Sequence, residues 1–320
     1  MKIGMVTDSL GTLSFDELLD AATSLGVDCL EFATGNWSAA PHLDLDGLLD
    51  SKPARDRFVG PLKERGLAIS ALTCNGNQLH PGASGREHDR VVRNTIKLAP
   101  LLGVERVVLM SGCPGAPGDA HPNWITVAWP PETTEILEWQ WKDVIGPYWR
   151  DLVAHADNCG IRQLCIELHG GQNVYNVPTL RRLREVCGPS VGVNFDPSHL
   201  LWMGADPIAS IEALGEAIYH VHAKDTRIET RIAAVSSRIE TTPSARAGER
   251  SWNYVTLGYG NGEDFWRSFC LALRRVGYDG VLSIEHEDMA MAPMEGMRKS
   301  VELLRRVMLI EPASYSLPAI

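Results

Sequence analysis

The chain has 320 residues, 22% of them charged and 44% hydrophobic, the profile of a globular protein able to bury a core without disulfide or metal staples. Its 30 basic and 40 acidic residues leave a net charge of −10, which opposes nonspecific nucleic-acid binding and attraction to an anionic membrane surface. No apolar run approaches the ~18 residues that span a bilayer, and residues 1–8 hold no apolar core of signal-peptide length. The seven cysteines are odd in number and none sits in a CxxC pair, so they read as scattered reduced thiols, and the expected compartment is the cytoplasm.

Predicted strands and helices alternate along the whole chain. The first strand covers residues 2–7. A helix follows, opened by Ser14 with Glu17 three residues on, the pattern of a capping box. Its apolar residues Phe15, Leu18, Leu19, Ala22 and Leu25 recur at helical spacing. The second strand covers 29–33. The third, 68–73, comes after a charged helical stretch that stops at Arg65 and Gly66. The fourth, 106–110, comes after a helix over about 87–102. Strands at 163–168, 192–195, 219–223 and 281–285 follow, and a last helix places Met294, Met297, Val301, Leu304 and Met308 on one face.

Eight strand-then-helix units predict a parallel sheet, and eight is the number that closes a barrel. A doubly wound sheet is the alternative, weakened because no G-x-G-x-x-G follows the first strand. The expected fold is therefore a single (β/α)8 TIM barrel over residues 1–310, with a tail at 311–320. Two connections exceed the usual ~2–6 residues of a βα loop: about 111–131 after the fourth strand and about 226–261 after the seventh. On a barrel such loops lie at the catalytic face. The first, with the helix after it, holds Trp124, Trp129, Trp139, Trp141 and Trp149, five of the nine tryptophans. These predict either helix and loop packing or an aromatic lid or partner surface.

The last four strand ends carry the chemistry. Period-two alternation separates Leu164, Ile166 and Leu168 from Cys165, Glu167 and His169, and Val193 and Phe195 from Asn194 and Asp196. It likewise separates Val221 and Ala223 from His220, His222 and Lys224, and Leu282 and Ile284 from Ser283, Glu285 and Glu287. With the apolar sets under the helices, Glu167, Asp196, His222 and Glu285 converge on the barrel axis at one depth. Buried together they would repel, at several kcal/mol per unpaired ion, and a divalent cation removes that cost. Mostly oxygen ligands with one nitrogen favour Mn²⁺ or Mg²⁺, with Co²⁺ and Zn²⁺ as further candidates.

The segments Ile166-Glu167-Leu168-His169, Asn194-Phe195-Asp196-Pro197-Ser198-His199, His220-Val221-His222-Ala223-Lys224-Asp225-Thr226-Arg227 and Ser283-Ile284-Glu285-His286-Glu287-Asp288 resemble the xylose-isomerase-like superfamily of sugar isomerases and epimerases. That superfamily also includes inosose dehydratase and endonuclease IV. The resemblance implies one divalent ion, often Mn²⁺, held by Glu167, Asp196, His222 and Glu285, with the two glutamates as acid and base on opposite faces of the sugar. It also implies substrate contacts from the histidine three residues after the ligand aspartate, His199, and from an arginine beyond the ligand histidine, here Arg227.

Proton removal beside a carbonyl needs a base near the carbon and an electrophile near the oxygen. Glu167 or Glu285 is the expected base. His169 is a further candidate, or else a hydrogen-bond partner of the ligands. Lys224 is expected to hold a substrate oxygen or to pair with a carboxylate. His80 is a candidate substrate contact or a polar loop residue, and Trp37 a sugar-stacking face or rim packing. The expected function is a metal-dependent isomerase or epimerase of a keto sugar. The alternative on the same site is a lyase, an inosose-type dehydratase or a relative of the catalytic subunit of C-glycoside deglycosidases, which acts on 3-oxo-glycosides with a small partner subunit. The expected assembly is a homo-oligomer. Net charge and ligand count oppose a DNA-repair reading, and the intact quartet opposes a non-catalytic sugar-binding reading.

Overall fold

Side-chain alternation fixes which face of each strand is apolar, and strand number with register stagger then decides how the sheet closes. A computed structural model describes residues 1–311. Its barrel strands are β1 (Lys2–Val6), β2 (Cys29–Ala33), β3 (Ala68–Thr73), β4 (Arg106–Leu109), β5 (Gln163–Glu167), β6 (Val191–Phe195), β7 (Ile218–Ala223) and β10 (Val281–Ile284). β8 (Asp225–Ile228) and β9 (Trp252–Val255) form a separate antiparallel hairpin. The barrel is closed and parallel in the order β1-β10-β7-β6-β5-β4-β3-β2, sealed by Lys2 opposite Val281 and Met5 opposite Ile284. Each barrel strand lies within one residue of its expected bounds, because each is a short apolar-inward or apolar-outward run with a turn at both ends.

The outward set, Leu164, Ile166, Val193, Phe195, Val221 and Leu282, is buried beneath the helices in the main apolar core. Each such side chain contributes roughly 1.5–3 kcal/mol on burial. Inside the barrel a smaller cluster of Ala71, Val108 and Cys165 fills the space below the polar rim, with Tyr219 packed against it. Gly192 is required there: a Cβ at that position would collide with the Tyr219 ring.

The helix Phe15–Leu25 starts at Ser14 with both arms of the capping box formed and ends on Gly26 at φ 67°, where a side chain would be strained. The expected helix over 87–102 begins earlier, at Ala83, because its N-terminus on Gly82 has no side-chain cap to announce it. On the last helix, Pro293–Val307, the expected face is correct at Met297, Val301 and Leu304, but Met294 turns outward.

The first insertion has no regular element between β4 and the helix Pro131–Trp139. The second is not a plain loop. It contains the β8–β9 hairpin and a short helix, Thr230–Ser236. Asp225, buried, anchors it: one carboxylate oxygen accepts the backbone N–H groups of Gly258, Gly260 and Asn261 at 3.0, 3.1 and 3.0 Å, and the other accepts the Asn261 amide at 2.7 Å. Strands of four residues, DTRI and WNYV, are too short to give a periodic signal. The expected tail lies, from residue 312 on, outside the described residues. No helix among the described residues is long and apolar enough to cross a membrane.

Candidate metal centre

Glu167 ends β5, Asp196 follows β6 directly, His222 lies on β7 and Glu285 follows β10, so four strand ends deliver one side chain each to the same mouth. One ligand atom from each of the four lies within 4.8 Å of the others. Asp196 doubles as the N-cap of the helix Pro197–Met203, its Oδ1 accepting the Ser198 N–H at 2.8 Å. That bond leaves Oδ2 aimed at the other ligands.

Among the described residues, two inward atoms of this quartet have no hydrogen-bond partner: Asp196 Oδ2 and His222 Nδ1. His199 Nε2 approaches Asp196 Oδ2 to 3.3 Å but spends its N–H on Glu167 Oε1 at 2.9 Å. His222 Nε2 lies 3.0 Å from Glu31 Oε1, a geometry that assigns it a proton and turns Nδ1 toward Glu285 at 3.2 Å and Glu167 at 3.6 Å. Burial opposes an imidazolium, but Glu31 and Glu285 outweigh it and lift His222 well above its ordinary value. The field that favours a proton at Nδ1 equally favours a divalent cation there. The residues present therefore fit a cation, and a buried carboxylate backing a ligand histidine is a recurrent way to fix its ring.

The remaining contacts hold the carboxylates ionised. Burial pushes Glu167 up, but the His199 hydrogen bond and the His222 charge hold it well below the usual carboxylate range. Its Oε2 also accepts Asn75 at 2.9 Å and Asn194 at 3.1 Å. Burial likewise opposes ionised Glu285, but Lys224 and His222 bring it to about 2. Lys224 Nζ sits 3.1 Å from Glu285 and 2.6 Å from Glu287, under the Tyr254 ring at 4.3 Å.

Above the quartet is a cavity of about 240 Å³ lined by Glu167, His169, His222, Lys224, Glu285 and Trp37, among others. His169 packs against His199 with ring centroids 4.1 Å apart, and burial with the His199 charge lowers it to about 4. Trp37 stands at the rim, 55% exposed, 6.5 Å from the His169 ring.

Three expected substrate contacts are placed elsewhere. His199 is fully buried beneath the cavity wall, against Glu167 and Asp196, with Tyr254 Oη at 2.9 Å from its Nδ1. Arg227 lies on the hairpin, 48% exposed and paired with Glu229 at 2.7 Å, because β8 carries it past the barrel mouth. His80 caps its own loop, its Nδ1 accepting the Gly82 N–H at 2.9 Å, and does not line the cavity.

Sequence reasoning missed Glu31, Asn75, Asp8 and Tyr254. Glu31 had a signal: a carboxylate between Leu30 and Phe32 in mid-strand, on the inward parity. It accepts both His220 at 2.8 Å and His222, and those two charges outweigh burial to keep it ionised. Tyr254 had none, since its approach depends on the hairpin.

A closed parallel barrel with its polar cluster at the C-terminal strand ends defines the class of protein. The chain belongs to the xylose isomerase-like TIM barrel family, whose model matches residues 19–307. It is 48% identical over 309 residues to the protein of Bacillus subtilis called "Uncharacterized protein YfiH", covering 96% of this chain and 99% of that one. In fold it is similar to the probable 3-DHS dehydratase AsbF of Bacillus anthracis, at 20% identity and TM-score 0.66 over 95% of this chain and 99% of that one. It is also similar to the 3-keto-D-glucoside 4-epimerase YcjR of E. coli, at 16% identity and TM-score 0.65 over 96% and 99%.

Proposed function

We propose that this chain is a divalent-metal-dependent sugar isomerase or epimerase that moves a proton at a carbon next to the carbonyl of a keto sugar. The observation that carries the reading is the quartet Glu167, Asp196, His222 and Glu285 with two inward atoms, His222 Nδ1 and Asp196 Oδ2, that no protein donor satisfies. Three carboxylates and one imidazole suit Mn²⁺ first, with Mg²⁺, Co²⁺ and Zn²⁺ as alternatives. A cation bound there would polarise the carbonyl oxygen and offset the negative charge that develops as the neighbouring carbon loses its proton.

The chain's own groups supply the rest. Glu285 and Glu167 both line the cavity, from strand ends separated by β7 and β6, so they reach a bound sugar from different sides. One accepts the proton and the other returns it. Lys224 keeps Glu285 ionised, and Asn75, Asn194 and His199 orient Glu167.

A second reading has its own observation. His169 lines the cavity and is held neutral, so it is available as a base that needs no partner acid across the ring. The same proton removal begins elimination, which makes a lyase of the inosose-dehydratase or 3-oxo-glycoside deglycosidase type the alternative. The dehydratase and the epimerase that share this fold suit the two readings equally.

The test is elemental analysis followed by proton exchange. Protein purified without chelator should carry near one equivalent of divalent metal, and the Mn²⁺-loaded form should wash solvent deuterium into keto or 3-oxo sugars, read by NMR. Less than a tenth of an equivalent with no activation by Mn²⁺ sinks the metal reading. His169→Ala tests the second reading: a loss of about 10²–10⁴-fold, the usual worth of a general base, supports the lyase with His169 as base, and near-normal turnover sinks that mechanism.

A further inference from the structure

The reaction class leaves the charge of the substrate open, and the cavity wall addresses it. The cavity, about 240 Å³, is below the ~300–1,000 Å³ of pockets for drug-sized ligands, which leaves room for one small ring. Among the described residues, four carboxylates line it, those of Asp8, Glu167, Glu285 and Glu287, and no arginine does. Its lysine, Lys224, is already clamped between Glu285 and Glu287 at 3.1 and 2.6 Å. Arg227, the cation that the family resemblance implied, is engaged with Glu229 on the hairpin.

Phosphate and carboxylate groups are recognised by charge-assisted, often bidentate, bonds from arginine or unpaired lysine. Nothing on this wall supplies one. Two neutral polar atoms, by contrast, are buried there without partners among the described residues: Thr73 Oγ1 and Asn75 Oδ1, both on residues that line the cavity. Buried polar atoms are almost always hydrogen-bonded in native proteins, and a substrate hydroxyl satisfies either. Trp37 at the rim adds an apolar face of the kind that covers the C–H side of a sugar ring.

We infer that the substrate is a neutral, monosaccharide-sized keto sugar carrying neither phosphate nor carboxylate, with hydroxyls on Thr73 Oγ1 and Asn75 Oδ1. The inference rests on the reading above that this cavity binds a sugar. Its test is calorimetric titration of the Mn²⁺-loaded full chain with matched pairs: D-fructose against D-fructose 6-phosphate, D-ribulose against D-ribulose 5-phosphate, and 3-keto-D-glucose against its 6-phosphate. The neutral member of at least one pair should bind ten-fold or more tightly than its phosphate. Glu287→Gln, which releases one of the two carboxylates on Lys224, should improve phosphate binding by about tenfold, since like-charge juxtaposition is what rejects it. Thr73→Val should weaken the neutral sugar several-fold with metal content unchanged. Equal or tighter binding of the phosphates, or no saturation by any neutral member, overturns the inference. Deuterium exchange is read separately: neutral preference without exchange sinks the reaction class and leaves the substrate class standing, and exchange with a phosphate-preferring protein does the reverse.

Discussion

The two long insertions lie on the same face of the barrel and do different things there. The first is rich in tryptophan, yet Trp141 and Trp149 are buried in the main core and Trp124 packs edge-on to Tyr175 at 5.5 Å. Gln140 braces this segment, its amide donating to the carbonyls of Pro114 and Asn123 at 3.1 and 2.8 Å. The second insertion is poorer in signal and closer to the chemistry: Tyr254 touches both His199 and Lys224. Aromatic content thus marked the better-packed insertion, and hairpin topology marked the one that reaches the site. Just past β5, a Cβ on Gly170 would lie 2.5 Å from Trp202 of the helix Pro197–Met203 and 3.5 Å from Trp124 of the first insertion. Trp202 in turn stacks on Trp252 of β9 at 4.8 Å.

Neither insertion supplies a ligand, so the largest effects should come from the barrel itself. Glu167→Gln or Glu285→Gln should each lower turnover by about 10³-fold or more and reduce metal content, with the melting temperature close to that of the parent. The apolar core under the helices is untouched by either change. In an epimerase both variants should fail in both directions, because one group removes the proton and the other returns it. A variant that keeps full turnover would show that the carboxylate in question only fills space.

The next effect tests a residue beneath the quartet. Glu31→Gln keeps the shape of the side chain but removes the charge that holds His222 and His220. Loss of such a supporting carboxylate typically costs about 10–100-fold in metal affinity. Competition with a fluorescent chelator measures it. Unchanged affinity would mean that the strand alone orients His222.

What the sequence disclosed and what it withheld divide along the same physical line. The barrel and the quartet were legible because period-two alternation is a local rule: knowing that Ile166 faces the helices places Glu167 on the axis. His199, Arg227 and His80 do not line the cavity: His199 turns back under it from the helix Pro197–Met203, Arg227 lies on β8, and His80 lies in a loop, and period-two alternation reaches none of these. Arg227 follows β7 within five residues, but β8 begins at Asp225 and carries it outward. Tyr254 is 55 residues from His199 in the chain, and the β8–β9 pairing, with Thr226 opposite Tyr254, brings it back beside that histidine.

Tyr254→Phe sharpens the comparison from the side of the second insertion. The hydroxyl is the partner of His199 Nδ1, so its loss leaves His199 less firmly aimed at Glu167. A hydrogen bond to a charged group is worth about 1.5–3 kcal/mol, which at 1.36 kcal/mol per decade corresponds to a loss of roughly ten- to a hundredfold in kcat. Metal content and KM should hold. A fall in metal content instead would show that the hairpin supports the quartet and not the orientation of His199.

The smallest effect should come from the first insertion. Trp129 is 77% exposed, and the segment it belongs to contributes no residue to the cavity wall. Surface substitutions of this kind usually fall within ±0.5 kcal/mol, so Trp129→Ala should leave the melting temperature, metal content and kcat of the isolated chain unchanged. Its neighbour Val127, 65% exposed, should behave alike. If Trp129→Ala raises KM for a small keto sugar, the segment closes over the substrate, and the division of labour between the insertions is wrong. If it changes the mass measured by light scattering, the exposed indole belongs to a contact between chains. A null result in both measurements would leave the second insertion as the one that serves the site, and would confine the role of the first to the packing that Trp141, Trp149 and Gln140 already provide.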